Sequence, residues 1–327
     1  MIISKTPMRM SFVGGGSDLA SFYRDFGGAV VSTSLEQYMY ITVNQKFDSG
    51  VRASYSKTEE VEHAGAIQHP LIRAALRQVD IEGGVEIASM ADIPARGTGL
   101  GSSSSFTVGL LHALYGFRQR YVSSEQLARE ACHIEIDICG EPIGKQDQYA
   151  AAFGGLNYIR FHPDETVSVD PIICSAGTLE ALEGQIVAFF TGRSRSASEL
   201  LARQSEKTAS EASTRETLQK MVGLAGDMKV ELEGNNPGAL GELLHENWMR
   251  KRDLMEGISD PQIDAWYEAA RGAGAAGGKL LGAGSGGFLM FLAPPDRHEA
   301  IAHVLSELRR VEFRFDRDGS QIVFYRP

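Results

Sequence analysis

Residues 93–114 read IPARGTGLGSSSSFTVGLLHAL. Gly97, Gly99 and Gly101 stand at alternate positions, followed by Ser102, Ser103, Ser104 and Ser105 and then by an apolar, helix-like segment. Glycine lets the backbone approach a ligand closely and take a positive φ. The serines then open a helix, whose first N–H groups lack intrahelical acceptors and carry the positive end of the helix dipole. This reads as an anion cradle, with phosphate as its ligand. A capped helix start needs one such side chain, not three glycines and four serines. A P-loop would carry a lysine before its serine or threonine; here Gly101 stands in that place. The serine hydroxyls can hold phosphate oxygens or a magnesium ion.

Upstream, VEIASM (85–90) reads as the strand that feeds the cradle, and MRMSFV (8–13) as a strand ending in Gly14, Gly15 and Gly16. QYMYITVNQKF (37–47), rich in β-branched and aromatic residues, reads as another. Downstream, Ser123 with Gln126 is a capping-box pattern that starts a helix running to Gly140. LNYIRF (156–161) and QIVAFFTG (185–192) read as strands, and residues 196–233 predict one long exposed helix. Asn236–Pro237 and Asp260–Pro261 start two more helices, the second ending in GAGAAGG (272–278). KLLGAGSGGFLMFLAP (279–294) reads as a loop followed by a strand, and Asp296 with Glu299 as the cap of a further helix. The chain closes on VEFRFDRDGSQIVFYRP (311–327), expected as a hairpin turning at Asp318–Gly319. Strands and helices do not alternate regularly, so the class is α+β. A composition shift at HPDETVSVDPI (162–172) divides the chain into 1–170 and 171–327.

The 327 residues are 43% hydrophobic and 23% charged, enough for about two domains with a sizeable core. A formal charge of -10 argues against nucleic acid or an anionic membrane as partner. Phosphate ligands remain open, because they need only local donors. Cys132, Cys139 and Cys174 are too few and too irregular for a disulfide framework or a zinc ribbon. With no leader-like N-terminal segment and no membrane-length apolar run, the expected location is the cytoplasm.

Four further clusters carry polar chemistry. RMSFVGGGSD (9–18) fails the dinucleotide fingerprint at Leu19, where a glycine should stand. It either presents Arg9 and Asp18 to a polar ligand or ends a strand. Gly282, Gly284 and Gly287 match G-x-G-x-x-G, but a strand follows them, so a loop packed on backbone or phosphate fits better. In CHIEIDICGEPIGKQDQYAAAFGG (132–155), Glu135 and Asp137 sit near a helix end and Asp147 in a turn after Gly144. Each carboxylate is either a base or magnesium ligand, or a solvated charge. Arg193 and Arg195, between a strand and a helix start, suit an anionic substrate group or form a solvated basic turn.

PMRMSFVGGGSD (7–18), PARGTGLGSSSS (94–105) and KLLGAGSGGF (279–288), in this order, resemble the three motifs of the GHMP kinase superfamily. The resemblance covers essentially the whole chain. SYSKTEEVE (54–62), QHPLIRAAL (68–76), GKQDQYAAAFGGLN (144–157) and TGRSRSASELLARQ (191–204) are similar to its sugar 1-kinases, above all those acting on heptose 7-phosphate. The L-fucose kinases share much of this. The resemblance implies a two-domain fold, an N-terminal β/α domain with a left-handed crossover and a C-terminal ferredoxin-like domain, with ATP between them. It implies ATP and Mg2+ as cofactors and a sugar as substrate, with either a monomer or a homodimer. Asp147 matches the catalytic aspartate, and Arg9 the basic residue beside it. Pro94, Gly97, Gly99, Leu100, Gly101, Ser102, Ser103 and Ser104 match the phosphate-cradling motif, and Ser103 and Glu135 the magnesium ligands. Gly284 falls on the nucleotide side of the third motif and Gly286 on the substrate side. Asp18, with Gly15, Gly16 and Ser17, matches the sugar-binding turn, and Arg193 and Arg195 are candidates for a substrate phosphate. The Gly-Glu-His-x-Asp turn of galactokinases is replaced by Gly14-Gly15-Gly16-Ser17-Asp18, which argues against galactose. The implied reaction phosphorylates an anomeric hydroxyl, from heptose 7-phosphate giving the 1,7-bisphosphate. An L-fucose-type or other free-sugar 1-kinase is the alternative. A non-catalytic sensor is disfavoured because Asp147, Ser103 and Glu135 are all present.

Overall fold

The computed structural model of the chain describes residues 1–93, 97–193, 197–284 and 286–326. Among these the strands are β1 (Ile2–Val13), β2 (Gly28–Gln45), β3 (Val51–Ser54), β4 (Thr58–Val61), β5 (Val85–Ala91), β6 (Leu156–Phe161), β7 (Val167–Pro171), β8 (Ile186–Phe190), β9 (Gly277–Leu280), β10 (Phe288–Leu292), β11 (Arg309–Val311), β12 (Phe315–Asp316) and β13 (Gln321–Tyr325). Nine form one sheet in the order β13-β1-β2-β5-β3-β4, with β6 and β12 also on β2 and β7 on β6. The other four form an antiparallel sheet, β11-β8-β10-β9. Its chain order is strand, helices, two strands, helix, strand, the split arrangement of a ferredoxin-like sandwich.

Long β2 is the spine of the first sheet. Its start pairs with β6 and its end with β5, while β1 runs beside nearly all of it. The sequence shows only the second part of β2, because residues 28–35 are buried without alternation and carry no period-two signal. The helix Ser102–Phe117 packs across β1 and β2, and its apolar residues are buried nearly all round. A shared apolar cluster, with Met8, Met10 and Phe12 of β1 against Leu281, Phe288 and Met290, joins the two halves. Buried Lys279 of β9 adds a polar tie, donating to the carbonyls of Ser11 (2.7 Å) and Phe12 (3.1 Å).

Four expectations are corrected. Residues 197–233 form two helices, Ala197–Ser210 and Ala212–Glu233, separated at Glu211, whose φ of -113° and ψ of 123° are extended. Ser123 caps its helix through Gln126 N–H, but the Gln126 amide turns to Tyr115 and Glu130, and the helix widens into a π turn at His133–Ile138. Asp296 lies in a 3-10 turn, and the helix His298–Val304 begins after it without a side-chain cap. The C-terminal residues do not pair with one another: β11 joins β8, β12 joins β2, and β13 covers the edge of β1. An open edge on β1 would be a pairing hazard. Residues 315–325 therefore lie in the first sheet, although they fall within 171–327. Among the described residues no helix is long and apolar enough to cross a membrane.

Candidate active site

Three glycine segments, far apart in sequence, converge where β1 ends. The phosphate-type loop and the 282–287 loop touch backbone to backbone. A Cβ on Gly99 would stand 2.2 Å from the Leu281 carbonyl oxygen, and one on Gly282 would stand 2.5 Å from Gly99 Cα. Gly101 is the N-cap of the Ser102–Phe117 helix in the left-handed region (φ 73°), so no side chain covers the helix start. The leading N–H groups are left for a ligand. The four serines are not equivalent. Ser105 donates to the Pro7 carbonyl, and Ser102 pairs with Thr98 and faces Met8, so both hydroxyls are used internally. Ser103 is the exposed one, and its hydroxyl donates to Glu135 Oε1 at 2.9 Å. Buried Ser104 also bonds to Glu135. Leu100 is buried, and its carbonyl accepts the Arg9 N–H. Gly97 has φ 70° at the entry to the loop; Pro94 and Arg195 lie outside the described residues.

Asp147 is not in a turn but in the first turn of the helix Gln146–Phe153. Arg9 grips its Oδ1 with Nε (2.7 Å) and Nη2 (2.6 Å), and donates Nη1 to the Gly99 carbonyl. The other oxygen, Oδ2, is 3.2 Å from where a Gly101 Cβ would be, so it faces the phosphate-helix start. The next residue, Gln148, donates to Glu135 Oε2 at 2.6 Å. Asp137, by contrast, is exposed and bonded to His133.

Glu135 is fully buried in the π turn. Burial raises its carboxyl to about 7; Ser104, Gln148 and Ser103 oppose this by hydrogen bonding, and Asp147 adds repulsion. Unfolding between the ordinary carboxyl value and about 7 releases a proton that the fold retains, so this group lowers stability as pH rises through that window. Glu135→Gln, with chelator and without nucleotide, is expected to melt above wild type at about pH 8, with the gap closing below about pH 4. Thermal scans check this, and equal midpoints at the higher pH would refute it.

The first glycine turn holds Asp18, buried and accepting from Gly16 N–H (3.0 Å) and from the Gln146 backbone and side chain (3.3 Å each). Burial, then repulsion from Asp147, raises its pKa. Ser17, expected at the ligand, instead donates to the carbonyls of Gly14 and Ala29 and holds the turn. Gly15 faces a space bordered by Lys251 Nζ, Gln146 Nε2 and Ser11 Oγ, and Gly16 faces the Gln204 amide. Around this space, buried polar atoms lack protein partners: Ser11 Oγ, Gln146 Oε1, both amide atoms of Gln204 and Asn247 Nδ2. Gly284 and Gly286 pack on the backbones of Ile258 and Arg193. Arg193 is paired with Asp260 at 2.6 Å and lies over the Trp266 ring. Lys251, Gln204 and Asn247 were not picked out from the sequence, where each sits in a polar helix.

Residues 66–155 match the family model for the GHMP kinases N terminal domain and residues 228–310 the model for GHMP kinases C terminal. The chain is 28% identical to a D-glycero-alpha-D-manno-heptose 7-phosphate kinase of Campylobacter jejuni, over 97% of each chain. It is 30% identical to a mevalonate kinase of Pyrococcus abyssi, over 76% of this chain and 71% of that one. A crystal structure of a D-glycero-D-manno-heptose 1-phosphate kinase from Bacteroides thetaiotaomicron superposes with a TM-score of 0.82 at 26% identity, over the full length of both.

Proposed function

Because the chain belongs to the GHMP kinase family, we propose that this ATP-dependent kinase acts on a sugar, transferring the γ-phosphoryl group to the anomeric hydroxyl of D-glycero-D-manno-heptose 7-phosphate. The observation that carries the reading is Asp147: Arg9 pins one oxygen, and the other faces the glycine-capped helix start. In this reading the leading N–H groups of the Ser102–Phe117 helix hold the triphosphate. Asp147 Oδ2 takes the proton of the sugar hydroxyl as its oxygen bonds to the γ-phosphorus and the bond to ADP breaks. Asp18 accepts from sugar hydroxyls, and the unpartnered Gln146 Oε1 and Gln204 amide supply further acceptors and a donor for a polyhydroxylated ligand. Ser103 and Glu135 would hold Mg2+: the buried carboxylate has no cation paired with it among the described residues, and hydroxyl plus carboxylate leaves positions for water and phosphate. Mg2+ there would neutralise charge on the β- and γ-phosphates.

Heptose is favoured by two relatives, whose names agree on that sugar and differ on its phosphate. A free sugar such as L-fucose is the second reading, favoured by Arg193, whose guanidinium is already taken by Asp260. The test is a panel of heptose 7-phosphate, L-fucose and galactose, followed by coupled ADP release and by phosphorus NMR of the product. Heptose 7-phosphate is expected to lead by at least about tenfold in kcat/KM, with the new phosphate on C1. Preference for fucose selects the second reading, and no turnover with any sugar overturns both.

A further inference from the structure

Lys251, on the helix Leu240–Leu254, is only 4% exposed and lies between the first and third glycine segments. Its Nζ donates to the Gly282 carbonyl at 3.1 Å and stands 3.6 Å from where a Gly15 Cβ would be. Gly282 itself abuts Gly99 of the phosphate-type loop. An ammonium has three donors, and Lys251 has this one hydrogen-bond acceptor among the described residues. Among the described residues, three other cations near the cleft are committed. Arg9 is bonded to Asp147 and the Gly99 carbonyl, Lys279 to the Ser11 and Phe12 carbonyls, and Arg193 to Asp260. Asp18 and Asp147 act on Lys251 through their charge but make no ion pair with it. A buried ammonium with idle donors is destabilising until a ligand fills them.

Resting on the kinase reading, we propose that Lys251 is a further catalytic residue, whose ammonium contacts the phosphoryl group as it passes from ATP to the sugar. It does from a distant helix what a P-loop lysine does from within its loop. Sugar hydroxyls already have Asp18, Gln146 and Gln204; the partner matched to a point cation is the charge spread over the phosphoryl oxygens. The sugar oxygen bonds to phosphorus as the bond to ADP breaks, the hydroxyl proton goes to Asp147, and Lys251 keeps its protons.

The test compares Lys251→Met and Lys251→Arg with wild type in kcat, in KM for sugar and ATP, and in thermal midpoint. Lys251→Met is expected to lose about 10²–10³-fold in kcat, the scale of one transition-state donor, with sugar KM changed less than about threefold and partial recovery in Lys251→Arg. A kcat within about threefold of wild type overturns the proposal. A raised sugar KM at undiminished kcat overturns it too, by placing Lys251 on the bound sugar. Should Lys251→Met not fold, the wild-type profile decides. Burial lowers the Lys251 pKa to about 8, with Asp18 and Asp147 opposing and Arg9 adding to the shift, and Lys279 lies close by. Wild-type kcat/KM, which reports the free enzyme, should then fall as pH rises through about 8, and a flat alkaline profile of kcat/KM overturns the proposal. If wild type turns over no sugar, the kinase reading fails; if wild type is active and Lys251→Met equals it, only the role of Lys251 fails.

Discussion

Asp147→Asn is expected to lower kcat by about 10²–10⁴-fold, the usual contribution of a positioned base, while ATP affinity stays within about twofold. The amide is nearly the size of the carboxylate and keeps an oxygen for Arg9, but it cannot take up the hydroxyl proton. The predicted ATP contacts, at the start of the Ser102–Phe117 helix, come from other residues. Single-turnover transfer with labelled ATP, alongside an equilibrium nucleotide titration, separates the two quantities. Near-normal turnover would move the base elsewhere, and lost nucleotide binding would make Asp147 part of the triphosphate site instead.

Gly99→Ala is expected to damage stability and turnover together. Its φ of 76° costs a non-glycine residue about 1–2 kcal/mol. The methyl would also be forced to 2.2 Å from the Leu281 carbonyl oxygen, where backbone faces backbone and no side chain can swing aside. Parting the loops moves both Gly101 and the Gly282 carbonyl that holds Lys251. A total of about 2–4 kcal/mol is expected, with kcat reduced at least about 100-fold. Gly140→Ala is the control, because Gly140 has φ 70° but nothing within 4 Å of a Cβ. It should show the backbone cost alone. Denaturant melts of both variants check this, and equal losses would mean that the interlock contributes nothing.

What was legible in the sequence was the chemistry written in contiguous runs. Arg9, Asp18, the Gly97–Ser105 run, Glu135 and Asp147 each sit within a few residues of a glycine turn or a helix boundary. The inequality of the serines was not read from the run itself, although at 3.6 residues per turn Ser102 and Ser105 share a face that Ser103 does not. Lys251 was not readable. Between Arg250 and Arg252 it looks like one more solvated charge on an exposed helix face, and only tertiary packing turns it inward beneath Gly282. Gln204 and Asn247 are hidden in the same way, as polar residues in polar helices. In the fold, the unread parts were those whose partners lie far away: the first half of β2, buried between β1 and β6, and the closing strands, which suggest a hairpin locally but are claimed by β1 and β2.

The pairing of Ile2–Lys5 with Gln321–Tyr325 also sets an order of events during synthesis. A domain made first ordinarily folds first, while the ribosome is still elongating. Here the strand that carries Arg9 lies far upstream of the strand that covers its outer edge, so that edge has no partner until the later strand leaves the exit tunnel. The nascent protein must carry that bare edge while the intervening residues are made, so a chain stalled before residue 321 displays a sticky β-edge to chaperones and to neighbouring nascent chains.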